Sequence, residues 1–168
     1  LSMRYIRHAR YTRWVKDQVV GEYSLLSARQ THLFTQMELA TLFFARAADL
    51  YLRDGGTIAF VMPRSIMVAQ QHERFTSFSF KEGSLVLELK RLLDLEGVTP
   101  LFNVPACVLV AHKGQETKYP VEALAFRGDL GAKNLPWALA RERLEGRPLA
   151  LDRVGGRLLP QGTPALPA

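Results

Sequence analysis

Between residues 37 and 53 apolar positions recur at helical spacing. Leu39, Phe43, Ala47 and Leu50, with Ala40, Phe44, Ala48 and Tyr51, form a wide apolar face, and Glu38, Thr41, Arg46, Asp49 and Arg53 gather opposite. Thr35-Gln36-Met37-Glu38 has the form of a capping box, in which hydroxyl and carboxylate satisfy the orphan amides of a helix start. Asp54-Gly55-Gly56 ends the helix by supplying backbone that tolerates positive φ. Thr57-Ile58-Ala59-Phe60-Val61-Met62 follows as an unbroken apolar run stopped by Pro63, which predicts a strand covered on both faces and one α-to-β step of a parallel α/β sheet.

The pattern is weaker elsewhere. Residues 18–30 lack a clean period and read as a loop, and residues 64–80 read as a second, weaker helix with a ragged end. Residues 85–95 fit both periods, so they divide into a helical or irregular start and a strand near 88–95. Ala106-Cys107-Val108-Leu109-Val110-Ala111 predicts a buried strand, and the link of residues 96–105 is too short for a parallel crossover, so these two strands are expected to be antiparallel. After Gly114 the composition shifts: residues 121–127 suggest an edge strand, residues 134–144 a helix, and the Gly/Pro-rich remainder a connector. The chain thus divides into a basic loop (1–32), an α/β body (33–115) and an edge strand with linker (116–168).

With 168 residues, 48% apolar and 23% charged, the chain suffices for one core and is not disordered as a whole. No apolar run reaches the roughly 18 residues of a membrane span, so the expectation is a soluble, cytoplasmic protein with no membrane partner. The single cysteine, Cys107, lies in an apolar strand where a thiol is inert, and His8, His32, His72 and His112 are scattered, so no metal site is expected. The net charge of +6 is concentrated: Arg4, Arg7, Arg10, Arg13 and Lys16 all precede the first acid, Asp17. A spacing of three sets these cations in a slowly drifting stripe with Tyr5, Tyr11 and Trp14 interleaved, a pattern suited to phosphates and exposed bases and equally to a solvated basic face. No glycine-rich phosphate loop, Gly-x-Ser-x-Gly elbow, His-Glu-x-x-His or paired acid and base stands in the chain. Gly55-Gly56 precedes a strand where a phosphate loop follows one.

A helix at 37–53, Gly-Gly, Thr57-Ile58-Ala59-Phe60-Val61-Met62-Pro63-Arg64-Ser65, then Leu93-Asp94-Leu95, Leu101-Phe102-Asn103-Val104 and Cys107-Val108-Leu109-Val110 form an ordered series. The series, spanning residues 1–130, resembles the C-terminal half of the catalytic domain of adenine-N6 DNA methyltransferases of restriction–modification systems, particularly the large single-chain or phage-defence type. The resemblance implies the distal half of a Rossmann-like sheet, its parallel strands ending in an antiparallel hairpin, incomplete as a domain. It also implies that Leu1-Ser2-Met3-Arg4-Tyr5-Ile6 follows the family's Asn-Pro-Pro-aromatic motif directly. That motif and the S-adenosylmethionine loop have no match here, so catalytic residues are expected to be missing and the cofactor to bind only the longer parent protein.

What the resemblance carries over is Phe102, matching the hairpin aromatic that packs on a flipped base. It also gives weight to DNA contacts by Arg4, Arg7, Arg10, Arg13, Lys16 and Arg64, which would position DNA without specifying sequence. The implied partners are DNA, the missing N-terminal half and, through an uncovered sheet edge, a second copy of the chain. Two other readings stay open: a non-enzymatic accessory remnant that only binds DNA or another chain, and a methyltransferase of RNA or protein.

Overall fold

The computed structural model describes residues 3–5 and 7–164. Leu1, Ser2 and Ile6, part of the segment expected to border an Asn-Pro-Pro-aromatic motif, lie outside the described residues. Helix α1 (Ala9–Lys16) runs into a π-helical turn (Asp17–Glu22), and a 3-10 helix (Ala28–Gln36) leads to α2 (Leu39–Tyr51). Then follow β1 (Thr57–Pro63), 3-10 turns at Arg64–Met67, Gln70–His72 and Phe75–Ser77, β2 (Ser79–Phe80), a 3-10 turn at Lys81–Gly83 and β3 (Leu85–Thr99). The chain continues through β4 (Ala106–Lys113), β5 (Val121–Asp129), α3 (Trp137–Arg143), β6 (Glu145–Val154) and β7 (Arg157–Pro160).

The strands form one open mixed sheet in the order β1-β4-β3-β5-β6-β7, with β2 pairing β3 off this path. As its short link requires, β4 is antiparallel to β3. It is also antiparallel to β1, so β1 and β3 run in the same direction on either side of it. The β3–β5 pair is parallel, whereas β5–β6 and β6–β7 are antiparallel. The chain is therefore α/β, with a single pair of adjacent parallel strands on this path.

One sheet face carries the main core. Phe44 of α2 meets Phe60 of β1 edge to face at 5.7 Å between ring centroids, and Phe75 and Phe78 at 5.5 and 6.2 Å. Such aromatic pairs contribute about 0.5–1.5 kcal/mol beyond burial, so this cluster fixes α2 against the sheet. Lys113 adds a polar clasp, its Nζ donating to the carbonyls of Asp49 and Leu52 at the C-terminal end of α2, where a cation is favoured. A second, smaller core of Val98, Leu130 and Ala140 seats α3 over the far ends of β3 and β5.

Several expectations are corrected. The capping box does not form: Thr35 belongs to the preceding 3-10 helix, and Glu38 occupies the cap position of α2 without a capping side-chain bond. Residues 64–80 make three separate 3-10 turns instead of a helix, and Phe78 is in the left-handed region at φ 54, which no helix accommodates. Residues 85–99 are one strand, whose register shift between Leu89 and Arg91 explains the mixed periodicity. β5 is not an edge, because the residues read as a connector form β6 and β7. These meet at Gly155-Gly156 with φ 55 and 74, the signature of a tight hairpin turn.

β1 itself is covered on one face only. Ile58, Phe60 and Met62 turn toward the core while Thr57, Ala59 and Val61 are exposed. On α2 the apolar arc is wider than its contact: Thr41 is buried, whereas Phe43, Leu50 and Tyr51 of the expected apolar face stand in solvent.

Candidate nucleic-acid interface

The C-terminal ends of β1 and β3 lie at the same end of the sheet, and the β3–β4 hairpin turns over there. Pro63, the last residue of β1, pairs with Ala106, the first of β4, and the Arg64 amide donates to the Pro105 carbonyl at 2.8 Å. Phe102 therefore belongs to a loop beside the C-terminal end of the outermost strand, and it is 46% exposed. The loop is anchored from both sides. Leu101 packs on the small core under α3, and Lys133 Nζ donates to Asn103 Oδ1 at 2.9 Å. The ring is thus held half-exposed at the surface by a braced loop.

Arg64 occupies the expected end of β1, but its guanidinium turns inward. Its Nε lies 2.9 Å from Asp94 Oδ2 and 3.2 Å from Glu96 Oε2, and Asp94 Oδ1 accepts the Glu96 amide. The pairing ties the end of β1 to β3 just before the hairpin loop, so Arg64 braces the loop that presents Phe102. Asp94, nearly buried, is the partner that sequence reasoning missed; it is one of three acids in β3, and that it meets an arginine thirty residues earlier is a relation only the register reveals.

Arg4, Arg7, Arg10, Arg13 and Lys16 are all exposed, and none has an ion-pair partner among the described residues. Val15 and Val19 anchor the opposite side of the helical segment in the core, which forces the charged side outward. Tyr11 and Trp14 stack at 5.8 Å, and the Arg46 guanidinium lies 5.3 Å from the Trp14 ring. The Met3–Tyr5 turn packs against the 28–36 segment, which packs in turn on Gln70–His72; Gln71 Nε2 donates to the Gln36 carbonyl. The basic segment is thereby linked through short turns to the chain leaving the end of β1.

The backbone of Gly55-Gly56 is already consumed. The Gly55 amide donates to the Lys113 carbonyl and the Lys113 amide to the Gly56 carbonyl, at the N-terminal end of β1, opposite the Phe102 loop. These glycines do not fit a cofactor cradle. Cys107 is buried, and burial pushes its thiol up to about 12, so it is no nucleophile. Among the described residues no cluster of His, Cys, Asp and Glu could hold a metal ion, and no helix is long and apolar enough to cross a membrane.

No family model matches the chain, and no curated protein matches it in sequence.

Proposed function

We propose that the chain is the distal half of an adenine-N6 DNA methyltransferase catalytic domain, contributing one stacking surface for the target base and a set of phosphate contacts. The observation that carries this reading is the strand order at one side of the sheet. β4 lies between two strands that run opposite to it, the outermost of which, β1, has no further partner strand among the described residues, and the hairpin loop bearing Phe102 sits at that strand's C-terminal end. A terminal hairpin strand inserted next to an edge that lacks its neighbour is what a sheet divided after its central strands would leave. The uncovered face of β1 and the exposed Phe43, Leu50 and Tyr51 of α2 support the same reading, since they are apolar surface that a continuing sheet would cover.

In this reading Phe102 stacks on an extruded base, a contact of about 1–3 kcal/mol that needs no sequence-specific hydrogen bonds. The basic segment neutralises phosphates and positions the DNA. S-adenosylmethionine and the groups that hold the adenine amine belong to the other half, so the isolated chain transfers no methyl group.

Fluorescence anisotropy with a labelled DNA duplex over a salt series tests the reading. Neutralisation of four to five phosphates corresponds to a log–log salt slope of about −4, and changing Arg4, Arg7, Arg10 and Arg13 together to Gln is expected to flatten it to near −1. An unchanged slope in that variant, or tight S-adenosylmethionine binding by the isolated chain in calorimetry, would overturn it.

A further inference from the structure

On the segment braced to the Phe102 loop the structure presents a second exposed aromatic. Trp137, in the first turn of α3, is 70% exposed, and Arg141, four residues on, shares its side of the helix while Ala140 faces the core. The loop before α3 is joined to the hairpin in two ways: Lys133 is hydrogen-bonded to Asn103, next to Phe102, and Leu135 packs on the same small core as Leu101. Phe102 and Trp137 are therefore carried by one braced unit.

Charge on this unit is unevenly engaged. Residues 127–147 hold five cations, Arg127, Lys133, Arg141, Arg143 and Arg147, against three acids. Glu145 is taken by Arg127, which leaves Asp129 and Glu142 facing four cations. An exposed indole face can take a flat ring and the cations around it can take phosphates, so the fitting occupant is a polyanion that carries flat rings.

We propose that Trp137 and Arg141 form a nucleic-acid contact continuous with Phe102, which takes a single-stranded or locally unpaired segment, Trp137 stacking on a base and Arg141 meeting the adjoining phosphate. This rests on the reading that the hairpin loop faces nucleic acid, and it goes beyond it by naming the next segment of the strand's path and its unpaired state. Non-specific single-strand binding generally combines such a ring with a cation.

The two tryptophans of the chain, Trp14 on the basic helix and Trp137 on α3, make the test direct. In a Trp14→Phe variant of the full chain, excitation at the indole band reads Trp137 alone, and titration with oligo(dT) is expected to quench it at low salt and not at high salt. Arg141→Gln together with Trp137→Ala should weaken oligo(dT) binding, followed by anisotropy, at least fivefold, with Trp137→Phe restoring most of it. Affinity for a duplex of equal length is expected to be lower.

If Trp14 responds in a Trp137→Phe variant while Trp137 stays silent in the Trp14→Phe variant, the inference falls and the basic segment's DNA contact stands. Silence of both overturns both. Equal quenching of Trp137 by polyglutamate, which has charge but no rings, would assign the surface to an acidic protein partner and overturn the nucleic-acid assignment.

Discussion

The two edges of the sheet are finished in opposite ways. At the β7 edge the strand is four residues long and ends in Pro160, which cannot donate to a further strand. The hairpin behind it is clamped by the 3-10 turns: Thr76 Oγ1 donates to the Gly156 carbonyl at 2.7 Å, and Arg153 donates to the Glu73 carbonyl and to Thr76 Oγ1. The β1 edge also ends in a proline, Pro63, but it is seven residues long with no charge, Val61 is 53% exposed, and Phe43, Leu50 and Tyr51 of α2 stand uncovered. A sheet margin that is meant to meet water is shortened, charged or covered. One edge of this sheet has been treated so and the other has not, and this asymmetry supports the proposal that β1 is a joining surface.

Truncating the closed side has the largest expected effect on stability. Leu158→Ala or Leu151→Ala, both fully buried, should cost about 2–5 kcal/mol in urea unfolding, whereas Val61→Ala at the open edge should stay within about 0.5 kcal/mol. Equal losses at the two edges would show that they are packed alike.

Acid should loosen the closed side next. His72 lies in the clamping turns, fully buried, with no hydrogen-bond partner for either ring nitrogen, and burial lowers its pKa to about 4. The unfolded chain binds the proton with a pKa of about 6.5, so stability is complete above that value and is lost as pH falls toward 4, by about 3 kcal/mol in all. Unfolding measured from pH 7 to 4 should show this slope, and His72→Leu should remove it.

Gly156→Ala is a smaller break on the same side. A Cβ there would strike the Glu73 side chain at a backbone φ of 74, and the strain should cost about 1–3 kcal/mol, read as a shift of the urea midpoint at unchanged slope.

The smallest effect on folding, and the most visible on assembly, belongs to the open edge. The chain is expected to self-associate in sedimentation velocity, and Ala59→Lys with Val61→Lys should return it to a monomer with stability changed by less than about 1 kcal/mol. A concentration-independent monomer before substitution would show that the edge is already closed.

How far each part was legible follows from how local its signal is. α2 and β1 are written in contiguous patterns, and the antiparallel β3–β4 pair follows from a link too short for any alternative. β6 and β7 leave no such pattern, because their core positions, Leu151 and Leu158, are separated by a turn and embedded among Gly, Pro and Arg. The turns at residues 64–77 look like a helix in the sequence because 3-10 and α spacing differ little over three or four residues. In the candidate site, Phe102 and the cationic stripe were found by residue type, whereas the engagement of Arg64 with Asp94 and the proximity of Trp137 to the hairpin depend on strand register and on a shared minor core.

Residue order alone thus sets which stretches become helix or strand where the period is sustained, where the positive charge accumulates, and that one pair of strands must turn back on itself, because these depend on neighbours a few residues away. Long-range packing settles which faces are covered, which edges have no partner strand among the described residues, and which arginines are spent on internal carboxylates. Those outcomes depend on contacts between residues thirty to eighty positions apart, and chain-local periodicity carries no term for them.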